Sequence, residues 1–327
     1  MTRKPAPHPL SLIAAALALS LGLGAAAQVP LTPAQGVASD PDAVLVEELV
    51  VTGRLPGPAW WRVSDADTTV YVLGVPSLAP RQMQWDRGVF DRRLQGANTV
   101  ILPFRPLRVK LIGAPLALVS YARLKSRTPF EDTLDASTRA RFVAVRGRLG
   151  QPADRYGTRN ALAAGLRLIG DYREQARLTD TDPTKLIRLL AQQAKVPVEQ
   201  KTYDLGPLLS AVARTPAAAG RVCFDQALAE AESGPAGVRE AARAWAVGDV
   251  RGALDAERSY EQCLAGAPGA AAFDARTKAD QAAAIARALR TPGHAIAVVQ
   301  LRPLLSQGGV LDRLRSQGFE IRTPGEL

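Results

Sequence analysis

Residues Trp60–Gly74 read WWRVSDADTTVYVLG. β-branched and aromatic residues fill two short runs, and the acidic stretch Asp65–Asp67 separates them, which is the pattern of a β-hairpin. The second run continues into VPSLAP, Val75–Pro80, where an apolar strand gives way to a loop. After a helix-like segment comes NTVILPF, Asn98–Phe104, whose consecutive Val, Ile and Leu predict a strand buried on both faces. At the far end of the chain HAIAVVQL (His294–Leu301), GGVLDRLRSQ (Gly308–Gln317) and FEIRT (Phe319–Thr323) predict strand, helix, strand.

Between these ends the periodicity changes from two to three and four. LALVSYARLK, DASTRARFVAVRGRL, RNALAAGLRLIGDYREQ and TKLIRLLAQQAK, all within about Pro115 to Ala194, repeat apolar residues at helical spacing. A short strand in KVPVEQKTY (Lys195–Tyr203) interrupts before more helices from Leu205 to Arg290. The expected fold is α/β: one domain over 58–327, with a central mixed sheet from the N- and C-terminal strands enclosing a large helical insertion, 115–290.

The chain has 327 residues, 47% hydrophobic and 22% charged, enough to bury one large core or two modest ones. Arg3 and Lys4 precede an uncharged apolar run, Leu10–Leu23, and then small residues Ala25 and Ala27. This is the grammar of a secretory signal peptide, 1–27, cleaved near Ala27, and the expected location is periplasmic or secreted. The alternative is an N-terminal anchor, but the apolar run is shorter than the ~20 residues a spanning helix needs. Residues 28–57 are polar and rich in Pro and Asp, which predicts a flexible leader containing one β-prone island, VLVEELVVTG (Val44–Gly53).

Without Arg3 and Lys4 the mature chain carries 39 basic and 31 acidic side chains. Export argues against nucleic acid as the partner; a basic surface there meets anionic envelope polymer or lipid head groups, or simply solvent. Cys223 and Cys263 both lie in helical patterns, and an even pair in an oxidising compartment predicts a disulfide worth about 4 kcal/mol in chain-entropy terms. Two buried thiols are the alternative. Of the two histidines, His8 falls in the signal peptide, and His294 stands at the mouth of an apolar run where it starts a strand. No HExxH, CxxC, Gly-rich phosphate loop or GxSxG elbow occurs in the mature chain.

Trp61–Ser77, WRVSDADTTVYVLGVPS, resembles the opening of the TraB/GumN family, relatives of Tiki-type metalloproteases, in which a Trp strand and a Tyr strand lead into a Gly-x-x-His loop. Ala297–Ile321 is similar to that family's closing segment, with its second Gly-x-x-His, and AWAVGDVRGAL around Trp245, Gly248 and Asp249 to its middle. The resemblance implies an α/β metal-dependent hydrolase whose two loops converge with a glutamate. This chain departs from it at each of those positions. Gly74 is kept, but Ser77 stands at the first histidine; Pro103 occupies the usual glutamate position; Gln300 and Pro303 replace the second glycine and histidine, with Arg302 before the proline. Gln200, Lys201 and Thr202 stand where a Leu-Glu-Thr-like stretch would bring another acid. Proline neither ligates a metal nor moves a proton.

The resemblance therefore implies a degenerate member, a pseudoenzyme with no metal and no cofactor, acting by binding; a hydrolase using another site is the alternative. It also implies that Gly74, Ser77, Pro103, Arg302 and Pro303 gather at one sheet edge, where Arg302 and Arg105 could contact an anion. Val46–Gly53, VEELVVTG, resembles the TonB-box segment of outer-membrane receptors, which adds a strand to a partner. The alternatives are a strand on this protein's own sheet or a mobile segment.

Overall fold

A computed structural model describes residues 44–327 apart from 54, 109–117, 120, 121, 123, 159, 181 and 256–266. The described residues fall in one compact unit. The signal segment, most of the leader and Cys263 lie outside them. The expected hairpin is present: β1 (Trp60–Ser64) runs antiparallel to β2 (Thr68–Val75), and the Asp65 carboxylate closes the turn by accepting the Thr68 N–H at 2.9 Å. There follow β3 (Ala79–Pro80), α1 (Gly88–Leu94), β4 (Val100–Ile101) and β5 (Arg105–Arg108).

The middle of the chain supplies α2 (Ala136–Arg148), α3 (Ala161–Gln175), β6 (Leu178–Thr179), α4 (Asp182–Gln193), β7 (Val198–Glu199), β8 (Thr202–Asp204), α5 (Leu205–Ala213), α6 (Ala217–Ser233), α7 (Ala236–Ala246), α8 (Val250–Asp255) and α9 (Ala270–Ala288). The side chains of Asp135 and Asn160 start α2 and α3 by accepting the backbone N–H groups of Thr138 and Ala163. The chain ends with β9 (Gly293–Gln300), α10 (Leu301–Leu305), α11 (Val310–Ser316) and β10 (Glu320–Arg322).

Six strands form the central mixed sheet in the order β10-β1-β2-β9-β4-β7. Four of them, β2, β9, β4 and β7, are parallel, and β1 is antiparallel to both its neighbours. The sheet is not built from terminal strands alone, because β7 comes from the helical middle. β4 has Val100 and Ile101 buried and needs a second backbone partner, which β7 provides. Past the break at Pro103, which offers no N–H to the ladder, the same two segments pair again as β5 and β8.

The sheet and its flanking helices share one apolar core, from Trp60 and Trp61 to Leu314. The helical middle has a second core, in which Phe224 packs edge-on against Phe130 and Phe142. α3 and α6 approach closely because position 165 is glycine: a Cβ there would lie 3.1 Å from the Phe224 Cα. Buried Asp171 accepts the Tyr156 hydroxyl at 2.8 Å and the Arg155 fork. Burial raises its pKa, but these donors outweigh it and hold the carboxylate below its usual range.

Residues 44–53, expected as part of a flexible leader, are seated on the domain. Glu47–Leu49 form a 3-10 turn, the Val46 N–H donates to Leu305 O at 2.9 Å, and Gly53 N–H to Gly248 O at 2.9 Å. Leu49 is 0% exposed, and its carbonyl accepts the Trp61 indole N–H at 3.2 Å. Glu47 and Glu48 pair with Arg251 and Arg315 at the surface. A partner adding a strand here would first have to draw Leu49 out of the core. Leu49→Ala should therefore lower stability by about 2–5 kcal/mol, whereas Glu47→Ala, which removes only an exposed pair, should cost under about 1 kcal/mol. Urea midpoints of the two variants check this, and an unchanged midpoint for Leu49→Ala would show the strap to be dispensable.

Candidate functional site at the strand ends

β2 and β9 run in parallel register from Thr68↔Gly293 to Val75↔Gln300, and Ile101 at the end of β4 pairs with Ala297. The carboxyl ends of three neighbouring strands thus lie on one side of the sheet, the place where open α/β sheets bind ligands. Ser77 follows β2, Pro103 follows β4, and Arg302 and Pro303 follow β9.

Gly74 is held from three sides. A Cβ on it would lie 2.8 Å from Trp61 Cζ3 and would strike Leu301. Its carbonyl accepts the indole N–H of buried Trp245 at 2.6 Å. Ser77 is half-buried in the loop before β3. Arg302 and Pro303 lie in the short helix α10 and not in a loop; proline is tolerated in a first turn because its missing N–H has no partner there anyway.

Arg302 does not present a fork to solvent. It is 1% exposed, and its Nη2 donates to the Leu254 carbonyl near the end of α8, where a helix's carbonyls favour a cation. Arg105 begins β5, and its side chain lies outside the described residues. His294 does start β9, and its Nε2 meets the Arg93 carbonyl at 2.8 Å.

Pro103 and the stretch Gln200–Thr202, the two places at which the family resemblance calls for an acid, meet each other. The Gln200 side-chain amide donates to the Pro103 carbonyl, and its Oε1 accepts from Arg188. This neutral clasp ties the ends of β4 and β7 at the point where Pro103 interrupts their ladder. Beside it a shallow recess is lined by Leu102, Phe104, Gln200, Tyr203, Asp280 and Gln281. Asp280 accepts the Tyr203 hydroxyl at 2.6 Å and pairs with Lys201 at 2.7 Å. Burial raises the Asp280 pKa, but Lys201 and Tyr203 together bring it below the usual range. Burial, then the bond to Asp280, pushes the Tyr203 hydroxyl up. Arg188 and Asp280 sit on helices distant in sequence, and no local signal in the chain points to them.

A hydrolytic metal needs several imidazole, thiolate or carboxylate donors around one point. The positions gathered here offer a hydroxyl, two prolines, a glutamine and arginines, a donor set that does not fit such an ion. Among the described residues no group of three or more His, Cys, Asp or Glu could hold a metal.

The parallel strand ends, the glycine under two tryptophans and the closing strand-helix-helix-strand define an α/β domain. Residues 59–323 match the TraB/PrgY/gumN family, and the chain belongs to it. No curated protein and no solved structure is significantly similar to the chain.

Gly74→Ala should be destabilising by about 1–3 kcal/mol through overpacking against Trp61 and Leu301. Trp245→Phe, which keeps an aromatic ring but removes the N–H donated to the Gly74 carbonyl, should cost about 1–3 kcal/mol. Denaturant titration checks both; Trp245→Phe with parental stability would show that the indole bond contributes nothing.

Proposed function

We propose that this protein is an exported, non-catalytic member of the TraB/PrgY/gumN family that acts by binding an anionic envelope component or a protein partner. The observation that carries the reading is the clasp at Pro103 and Gln200: Pro103 stands where the resemblance calls for a glutamate, and Gln200, in the second stretch that lacks its acid, ties two strands together through its side-chain amide. Ser77 and Pro303 at the remaining positions support it, since neither side chain suits a hydrolytic metal. With Arg302 committed to Leu254, Arg105 is the one of the two expected arginines left to meet an anion. Val46–Gly53 acts in this reading as a structural strap and not as a TonB-type ligand.

Export rests on the segment from Arg3 to Ala27, and the mature chain is periplasmic or secreted. Among the described residues no helix is long and apolar enough to cross a membrane. Cys223 is buried on α6, Cys263 lies outside the described residues, and the export reading joins them as a disulfide.

The purified mature protein should contain far less than one zinc, manganese or iron per chain after mild chelation and should cleave no peptide. Elemental analysis returning close to one metal per chain would overturn the non-catalytic reading. Periplasmic material should label at neither cysteine until it is reduced and denatured, and reduction should lower its melting temperature. Full labelling of denatured but unreduced protein would refute the bridge.

A further inference from the structure

A different part of the sheet carries a charge without a counter-charge. Trp60 and Arg62 are two apart on β1 and so share one face, and Tyr71 stands directly across from Arg62 on β2. From α1, the guanidinium carbon of Arg93 sits 4.5 Å from the Trp60 ring centroid and 4.2 Å from that of Tyr71. Phe90, one turn earlier, stacks on Trp60. His294 binds the Arg93 carbonyl and places its ring edge-on to Tyr71, which fixes the end of α1 against the sheet.

Two aromatic faces favour a cation, but they leave its N–H groups unanswered. No carboxylate among the described residues lies within ion-pairing distance of Arg93, and its Nη1 is buried without a hydrogen-bond partner. Burial draws its pKa down to about 10. Arg62 has its Nε buried and unpartnered as well, and its one acid, Glu320, stands 3.9 Å away while bound more closely to Arg322 at 2.7 Å. The indole N–H of Trp60, a residue only 2% exposed, is the third donor without an acceptor. Buried donors and buried charges are ordinarily matched, and three in one cluster with no acceptor describe the complement of an anion.

We propose that Arg93, Arg62 and the Trp60 indole form a binding site for a phosphate group on the face of the sheet that α1 covers. Three donors suit a group with three or more oxygens better than a carboxylate with two. Arg62 and Tyr71 are partly exposed and mark the side nearest solvent, while the three donor atoms are themselves buried, so an entering phosphate has to displace part of this cover. The site lies on the β1–β2 hairpin, with Arg62 across from Tyr71 and Trp60 across from Leu73, and uses none of the residues Ser77, Pro103 and Pro303, so it does not depend on whether the strand ends are catalytic.

The test is thermal unfolding of the mature protein titrated with inorganic phosphate against chloride at matched ionic strength. The expected result is a saturable rise in melting temperature with phosphate, with apparent affinity weakened about tenfold or more in Arg62→Gln and lost in Arg93→Met. Should Arg93→Met fail to fold, Arg62→Gln decides, because its side chain lies at the open side of the cluster. Phosphate stabilisation no greater than that of chloride, or parental affinity in Arg62→Gln, would overturn the proposal. Vesicles containing phosphatidylglycerol separate the sources: capture that phosphate competes away assigns the group to a lipid, and saturation by phosphate without capture assigns it to a soluble molecule. Zinc in the purified protein would defeat the non-catalytic reading and leave this site untouched.

Discussion

The structure depends on how tightly Gly74 is enclosed. Its Cα faces Trp61 and Leu301, and its carbonyl holds the indole of Trp245, 171 residues away in sequence. One backbone position thereby joins the hairpin, the segment after β9 and the end of α7 in the helical middle. The enclosure extends outward: Trp61 donates to the Leu49 carbonyl, and Gly248, just past Trp245, accepts from Gly53. Any side chain at position 74 would have to part these layers. Packing alone thus accounts for this glycine, with no chemistry required of the loop that follows.

The strand ends are closed by side-chain contacts. Parallel strands need their ends closed once the ladder stops, and Pro103 stops it by lacking an N–H. Gln200 closes the gap with a side-chain amide that both donates and accepts, which a carboxylate at neutral pH cannot do. Arg188 on one side and the Lys201–Asp280–Tyr203 group on the other complete a set of satisfied polar contacts. Arg302, turned inward to the Leu254 carbonyl, belongs to the same pattern, in which groups after the strand ends serve packing and hydrogen bonding.

The helical middle is supported separately. Its core of Phe130, Phe142, Tyr156 and Phe224 is distinct from that of the sheet. The Arg155–Asp171–Tyr156 group anchors the turn before α3 to that helix. β3 and β6 form one small connection between the regions, through Ala79↔Thr179 and Pro80↔Leu178.

Much of the secondary structure was legible in the chain itself, because hairpins, buried strands and amphipathic helices are local patterns. The acidic turn at Asp65–Asp67, the apolar Val100–Ile101, the caps at Asp135 and Asn160, and the strand opening at His294 each follow from residues within a few positions. The resemblance to a family was equally local, carried by Trp61–Ser77 and Ala297–Ile321. What the sequence could not settle were contacts between distant residues. The strap at 44–53 reads as polar leader until Leu49 finds a core, and the LRPLL segment reads as a loop until Arg302 finds the carbonyl of Leu254. Gln200 gives no sign that it will bind Pro103, nor Arg93 that it will lie between Trp60 and Tyr71. Those pairings arise only when parallel strands far apart in the chain are brought side by side, since a side chain's partner is set by which backbones become neighbours.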